Sequence, residues 1–194
     1  MANPIGSLQI LFGVSLPAQV VEAEDMQSIS TGLDRLRDEY WPQLKGMKLG
    51  LLANQASVDR HLSPAKDIIA GLLPGHLKVL FGPQHGYGGE DQDNMVETPH
   101  SYDRDLNIPV YSLYGDTRNP LPDMLDELDL LVIDLQDVGS RVYTFASTML
   151  NCLRAAADQG KEVLLLDRPN PLGGKVIEGN LLRPEFSSFV GPYP

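Results

Sequence analysis

Three apolar runs in this chain break off into polar, mostly glycine-bearing sequence: residues 80–90 (LFGPQHGYGGE), 131–144 (LVIDLQDVGSRVYT) and 164–174 (LLLDRPNPLGG). Runs that are apolar at nearly every position suit strands buried on both faces, and such strands belong to parallel sheets covered by helices. In an open α/β sheet, ligands bind outside the carboxyl ends of the strands. Three such exits therefore converge on one cleft, and function is to be sought there.

From Gly32 onward, strand and helix signals alternate. Strands are expected at 47–53, 77–81, 109–113, 130–134 and 162–167. The spacing of Leu33, Leu36, Tyr40 and Leu44 predicts a helix over 34–44. Ser63 as N-cap with Pro64 at the first helical position predicts another over 64–73. A short helix is expected at 122–128 and a longer one at 145–159, closed by Gly160. The fold class is α/β, a Rossmann-like or flavodoxin-like three-layer sandwich with a mainly parallel sheet. The connection over 82–108 is unusually long and holds Gly86, Gly88 and Gly89. Long loops in compact domains are functional or mobile, and this one leaves a strand exit.

Charge narrows the partners. With 15 basic and 26 acidic residues the net charge is −11, and no stripe of Lys or Arg interrupts it, which argues against nucleic acid or an anionic membrane surface. Cys152 is the single cysteine, so an intrachain disulfide and a cysteine-based zinc site are both excluded. It falls beside Leu150 and Leu153 in a helical pattern, where packing is its expected role. No G-x-G-x-x-G follows the first strand, and no Gly-Lys-Ser/Thr phosphate loop occurs.

At the N-terminus, residues 8–21 (LQILFGVSLPAQVV) have the apolar character of a signal segment, but no Lys or Arg precedes them and Pro17 interrupts the run. The run is too short to span a bilayer, which takes roughly 20 apolar residues. Residues 1–30 are expected to form a leader or flexible arm, with 31–194 as the folded domain. If residues 1–23 act as a signal, the destination is the cell envelope or the exterior; otherwise it is the cytoplasm.

At the strand exits, His85 is a candidate metal ligand, base or hydrogen-bonding group, and with no second His at metal spacing a hydrogen-bonding role is the expected one. Alternation after the fourth strand points Asp134 and Gln136 to one side and Asp137 to the other. Asp137 serves either as a cap or partner of Arg141, or as part of a cluster binding a hydroxylated ligand. Asp167-Arg168-Pro169-Asn170-Pro171 is a stiff turn carrying polar side chains suited to a pre-organised site, and Glu178 is the next carboxylate downstream.

The ordered motifs Gly50-Leu51-Leu52-Ala53-Asn54-Gln55, Phe81-Gly82-Pro83-Gln84-His85-Gly86, Tyr111-Ser112-Leu113-Tyr114-Gly115, 134–144, 167–174 and Ser188-Phe189-Val190-Gly191 resemble the NamZ-like exo-β-N-acetylmuramidases, a bacterial glycoside hydrolase family, from about Gly32 to the last residue. The resemblance implies a Rossmann-like N-terminal domain, a smaller C-terminal domain absent from this chain, and a site in the cleft that this second domain would complete. It implies release of N-acetylmuramic acid from peptidoglycan fragments, with a peptidoglycan-derived sugar or muropeptide as partner and no cofactor or metal. Many family members carry Glu where this chain has Gln84, a position that is a candidate for the catalytic acid.

The candidate catalytic residues are Gln84, His85, Glu90, Asp137 and Glu178; the candidate substrate-binding residues are Asn54, Gln55, Gln136, Arg141, Tyr143, Asp167, Arg168 and Asn170. Glycoside cleavage generally uses two carboxyl groups. With an amide at Gln84, the acid must come from Glu90, Asp137 or Glu178, or the substrate's own N-acetyl oxygen attacks while an amide orients it. A chain so altered could also bind a muropeptide or sugar without cleaving it. A hydrolase of another hydroxylated or phosphorylated small molecule is a further reading.

Overall fold

The computed structural model describes residues 8–11, 29–89, 91, 93 and 96–192. Its strands are β1 (Leu8–Leu11), β2 (Leu49–Ala53), β3 (Leu77–Gly82), β4 (Ser101–Asp103), β5 (Ile108–Ser112), β6 (Leu130–Asp134) and β7 (Glu162–Leu166). They form one sheet in the order β1-β7-β6-β2-β3-β5-β4, parallel throughout except for β4, which runs antiparallel to β5. The five expected strands thus take the Rossmann order, third-second-first-fourth-fifth, with the chain reversing its direction of travel across the sheet between β2 and β6.

The helices are α1 (Gly32–Arg35), α2 (Ala65–Leu72), α3 (Pro122–Leu125) and α4 (Phe145–Asp158). Strand alternation divides the core into two layers. Leu51 and Ala53 of β2, Val132 of β6 and Leu164 of β7 pack with Leu33 of α1 and Ile69 of α2. Leu52, Leu131 and Ile133 face the other way, against Leu125 of α3 and Cys152 and Ala156 of α4. Every residue of β2 and β6 is buried, as their unbroken apolar runs require. Each fully buried Leu or Ile side chain contributes about 1.5–3 kcal/mol, so the two central strands anchor both layers. Cys152 is fully buried, in the packing role its sequence context suggests.

Several local readings change. The helix expected over 34–44 begins earlier, at Gly32, because Thr31 and Asp34 form a capping box: Thr31 Oγ1 accepts from the Asp34 amide and Asp34 Oδ2 from the Thr31 amide. It then loosens into a π-helical turn over Leu36–Tyr40 and a 3-10 turn over Trp41–Leu44. Pro42 has no amide hydrogen to continue α-helical bonding there. At α2 the N-cap is Pro64, not Ser63, and no side chain caps it. The Ser63 amide donates instead to Asp59 Oδ1. Two edge strands were not expected. β4 lies within the long connection after β3, and β1 lies within the stretch assigned to a leader or arm, where Leu8 pairs opposite Val163.

α1 is seated tightly on the exit of β7. The Gly32 amide donates to the Asp167 carbonyl at 2.8 Å, and a Cβ at Gly32 would lie 2.5 Å from Asp167 N and 2.6 Å from Leu166 C. Backbone atoms cannot rotate away as a side chain can. Gly32→Ala is expected to destabilise the fold by about 1–3 kcal/mol through overpacking. Gly71, in α2 with open space around it, gives the contrast: Gly71→Ala should stabilise by about 0.5–1 kcal/mol. Urea unfolding of both variants checks the pair of signs.

Candidate active site

Because β2, β3, β5, β6 and β7 run parallel, their exits share one edge of the sheet. Asn54, Gln84, Asp137 and Asp167 all follow these exits. At the point of reversal between β2 and β6 the polar groups hold the edge together. Arg168 donates through Nε to Asp134 Oδ1 at 2.5 Å, and through Nη2 to Asp134 Oδ2 at 2.8 Å and the Val58 carbonyl at 2.9 Å. The two side chains are only 7% and 0% exposed. Burial pushes the Asp134 carboxyl up, and the guanidinium pulls against that shift. Ser57 Oγ donates to the Asp134 carbonyl, and Asn54 Oδ1 accepts from the Ala56 amide. Gln136 Nε2 donates to the Asp137 and Pro169 carbonyls, bridging the exits of β6 and β7.

A cavity of about 660 Å³ opens between the exit of β3 and the start of α4, lined by Gln84, His85, Tyr143 and Thr144 among others. Gln84 Oε1 accepts from Thr144 Oγ1 at 2.8 Å. The amide is thereby oriented, and among the described residues its Nε2 hydrogens have no partner. His85 sits at a left-handed φ of 75°, which is costly for a residue with a side chain. Its Nδ1 lies 2.7 Å from the Asp91 carbonyl. A carbonyl only accepts, so Nδ1 carries a proton. The Tyr143 ring lies 4.6 Å from that of Phe145, and burial, with the charge of Asp137, raises its phenol above the ordinary value.

Asp137 and Arg141 line a smaller cavity of about 270 Å³, which shares Val190 with the first. Asp137 Oδ2 accepts from the Gly139 amide at 3.2 Å and from Asn170 Nδ2 at 3.4 Å, so capping is part of its role. Arg141 does not pair with it; its Nη2 donates to the Asn180 carbonyl. Asn54 and Gln55 line a third cavity of about 430 Å³, beside Lys66, Tyr87 and Asp103. Glu178 is exposed on the loop after β7, and Glu90 lies outside the described residues.

The residues named from sequence thus separate. Gln84, His85 and Tyr143 meet in one cavity, and Asp137 and Arg141 adjoin it. Arg168, Gln136 and Asn170 hold the exits in place. Sequence reasoning missed Thr144, whose hydroxyl orients Gln84, and Arg118, which lines the same cavity. Thr144 was legible as the polar residue immediately before α4, and Arg118 as the basic residue just beyond the third strand exit. Among the described residues, no group of three or more His, Cys, Asp or Glu could hold a metal ion, and no helix is long and apolar enough to cross a membrane.

These features define a Rossmann-like α/β domain with a polar, aromatic-lined cavity at its carboxyl edge. Residues 49–194 match the family described as exo-β-N-acetylmuramidase NamZ, N-terminal, and the chain belongs to that family. It is 45% identical over 166 residues to the peptidoglycan β-N-acetylmuramidase NamZ of Bacillus subtilis (strain 168), covering 86% of this chain and 40% of that protein. The crystal structure of a DUF1343 family protein from Bacteroides fragilis NCTC 9343 superposes with a TM-score of 0.76 at 41% identity, over 84% of this chain and 40% of that one. A second DUF1343 family protein from the same organism gives 0.70 at 28% identity, over 87% and 43%. The chain therefore spans about 40% of the length of these relatives.

Two stability predictions come from the edge. Arg168→Met leaves Asp134 buried without its cation and should cost about 3–5 kcal/mol, whereas combining it with Asp134→Leu should recover much of that loss; denaturant titration of the single and double variants reads the difference. Asp59, in the loop after β2, supplies the second. Burial alone would raise its carboxyl, but the Ser63 and His61 amides and the Arg37 guanidinium hold it below the ordinary value. Its stabilisation is then present above about pH 4 and lost as the pH falls through the folded value. Melting temperature followed from pH 6 to pH 2 should fall less steeply in Asp59→Asn than in the parent.

Proposed function

We propose that this chain supplies the Rossmann-like half of an exo-β-N-acetylmuramidase site, which releases N-acetylmuramic acid from the non-reducing ends of peptidoglycan fragments. The observation that carries the reading is the convergence of Gln84, His85, Tyr143 and Thr144 on one cavity at the carboxyl edge, in a chain 45% identical to a protein named for that activity. The length of the relatives that this chain does not span supplies the facing wall. Exposed Leu172, Val176, Ile177 and Leu181 on the loop after β7 offer apolar surface for it.

The chemistry needs a proton for the leaving oxygen and an attacking group at the anomeric carbon. Gln84 donates hydrogen bonds but cannot supply a proton as a carboxylic acid does. Its Nε2 hydrogens suit the carbonyl of a substrate N-acetyl group, holding that oxygen toward the anomeric carbon for a substrate-assisted displacement. Water then opens the cyclic intermediate. Asp137, which lines the adjoining cavity, would protonate the departing oxygen, with Glu90 and Glu178 as the other candidates. His85 Nε2 accepts from a sugar hydroxyl, and Tyr143 and Phe145 offer faces to the pyranose ring. Gln84 is also the observation that favours a second reading, a domain that binds muropeptides or sugars without cleaving them.

The test completes the chain to family length with the remainder of the Bacillus subtilis relative and follows chromophore release from an aryl β-N-acetylmuramide. Release from that substrate is expected, with the 194-residue chain weak or inactive. No release by the completed protein, with retained affinity for the sugar, would leave the binding reading in its place. In the completed protein Gln84→Glu is expected to lower turnover, because it puts a carboxylate where a neutral donor is needed. A several-fold gain would instead assign this position to acid catalysis, which typically contributes about 10²–10⁴-fold.

A further inference from the structure

We propose that Arg118 is the specificity residue of this cavity, pairing with the lactyl carboxylate that distinguishes N-acetylmuramic acid from N-acetylglucosamine; the assignment rests on the muramidase reading above. Arg118 lines the cavity of Gln84 and His85, and among the described residues lining it no other is an Arg or Lys and none is acidic. In a chain of net charge −11, a sugar acid meets a repulsive field overall, so its carboxylate needs a local cation.

The guanidinium is already held in place. Its central carbon lies 4.0 Å from the centroid of the Tyr114 ring and 5.8 Å from that of Phe189. Nη1 donates to the Gly115 carbonyl at 2.6 Å, and Asn151 Nδ2 donates to the Arg118 carbonyl at 3.0 Å. Its carboxylate partner, Glu97, lies 3.1 Å from Nη2 but is 61% exposed, a pairing that water screens and a ligand can displace. Among the described residues those contacts use two of the five guanidinium N–H groups, and three remain for a planar carboxylate.

The experiment titrates the 194-residue chain, observed by NMR, with N-acetylmuramic acid, with its lactyl methyl ester and with N-acetylglucosamine. The parent chain should prefer the free acid over the ester by roughly tenfold, the scale of one charge-assisted hydrogen bond, and added salt should erode that preference. Arg118→Gln should abolish the preference by weakening the free acid far more than the ester, and Arg118→Lys should retain part of it. Loss of acid and ester binding together in both variants, or a preference that survives Arg118→Gln, would overturn the assignment and leave the muramidase reading standing. Failure of the parent chain to bind either muramoyl sugar would overturn the Arg118 assignment and leave the muramidase reading to the test on the completed protein.

Discussion

The buried pair of Arg168 and Asp134 joins three segments that sequence keeps far apart. One guanidinium grips the end of β6, the turn after β7 and the carbonyl of Val58 in the loop after β2. Two charges taken out of water are costly, and their mutual attraction offsets that cost only when the geometry is bidentate and the remaining hydrogen bonds are made. Here the geometry is bidentate, and a further bond goes to the Val58 carbonyl. An apolar substitute of equal volume would pack as well but would fix neither the spacing nor the orientation of the three exits. Gln136, Asp137 and Asn170 all lie within a few residues of this pair, and Asp137 lines the smaller cavity.

The sheet was legible wherever burial on both faces left an unbroken apolar run. β2, β3, β5, β6 and β7 all appear where the sequence predicts them, within about two residues at each end. β4 was not legible, because Ser-Tyr-Asp at an exposed edge carries no apolar signal and exists as a strand only through its pairing with β5. β1 was masked for a different reason, since its apolar run matches a signal segment as readily as an edge strand. The irregular turns over Leu36–Leu44 show the limit of periodicity. The apolar spacing survives, but the missing amide of Pro42 changes the hydrogen bonding beneath it.

The site was legible in outline and less so in its division of labour. Strand exits placed the polar clusters on one edge, as parallel pairing demands. Which polar residues face a cavity and which hold the scaffold depends on pairings across the fold. Arg168 and Asp134 are 34 residues apart, and Gln84 and Thr144 are 60 apart. Arg118 was visible only as a basic residue beyond the third strand exit, because its setting beside the Tyr114 and Phe189 rings comes from tertiary structure. The family resemblance supplied what spacing could not, a reason to look to the Phe81–Gly86 motif as part of the candidate site.

The strand order also sets a timetable for synthesis. β2 lies at the centre of the sheet, with β3 on one side and β6 on the other, and Gly50 pairs opposite Leu131. A ribosome adding about 5–20 residues per second takes roughly 4–16 seconds to pass from one to the other. Through that interval β2 and β3 can pair, but one flank of the most apolar strand has no neighbour. Until β6 emerges, that flank stays open to pairing with other chains, the kind of exposure against which chaperones guard.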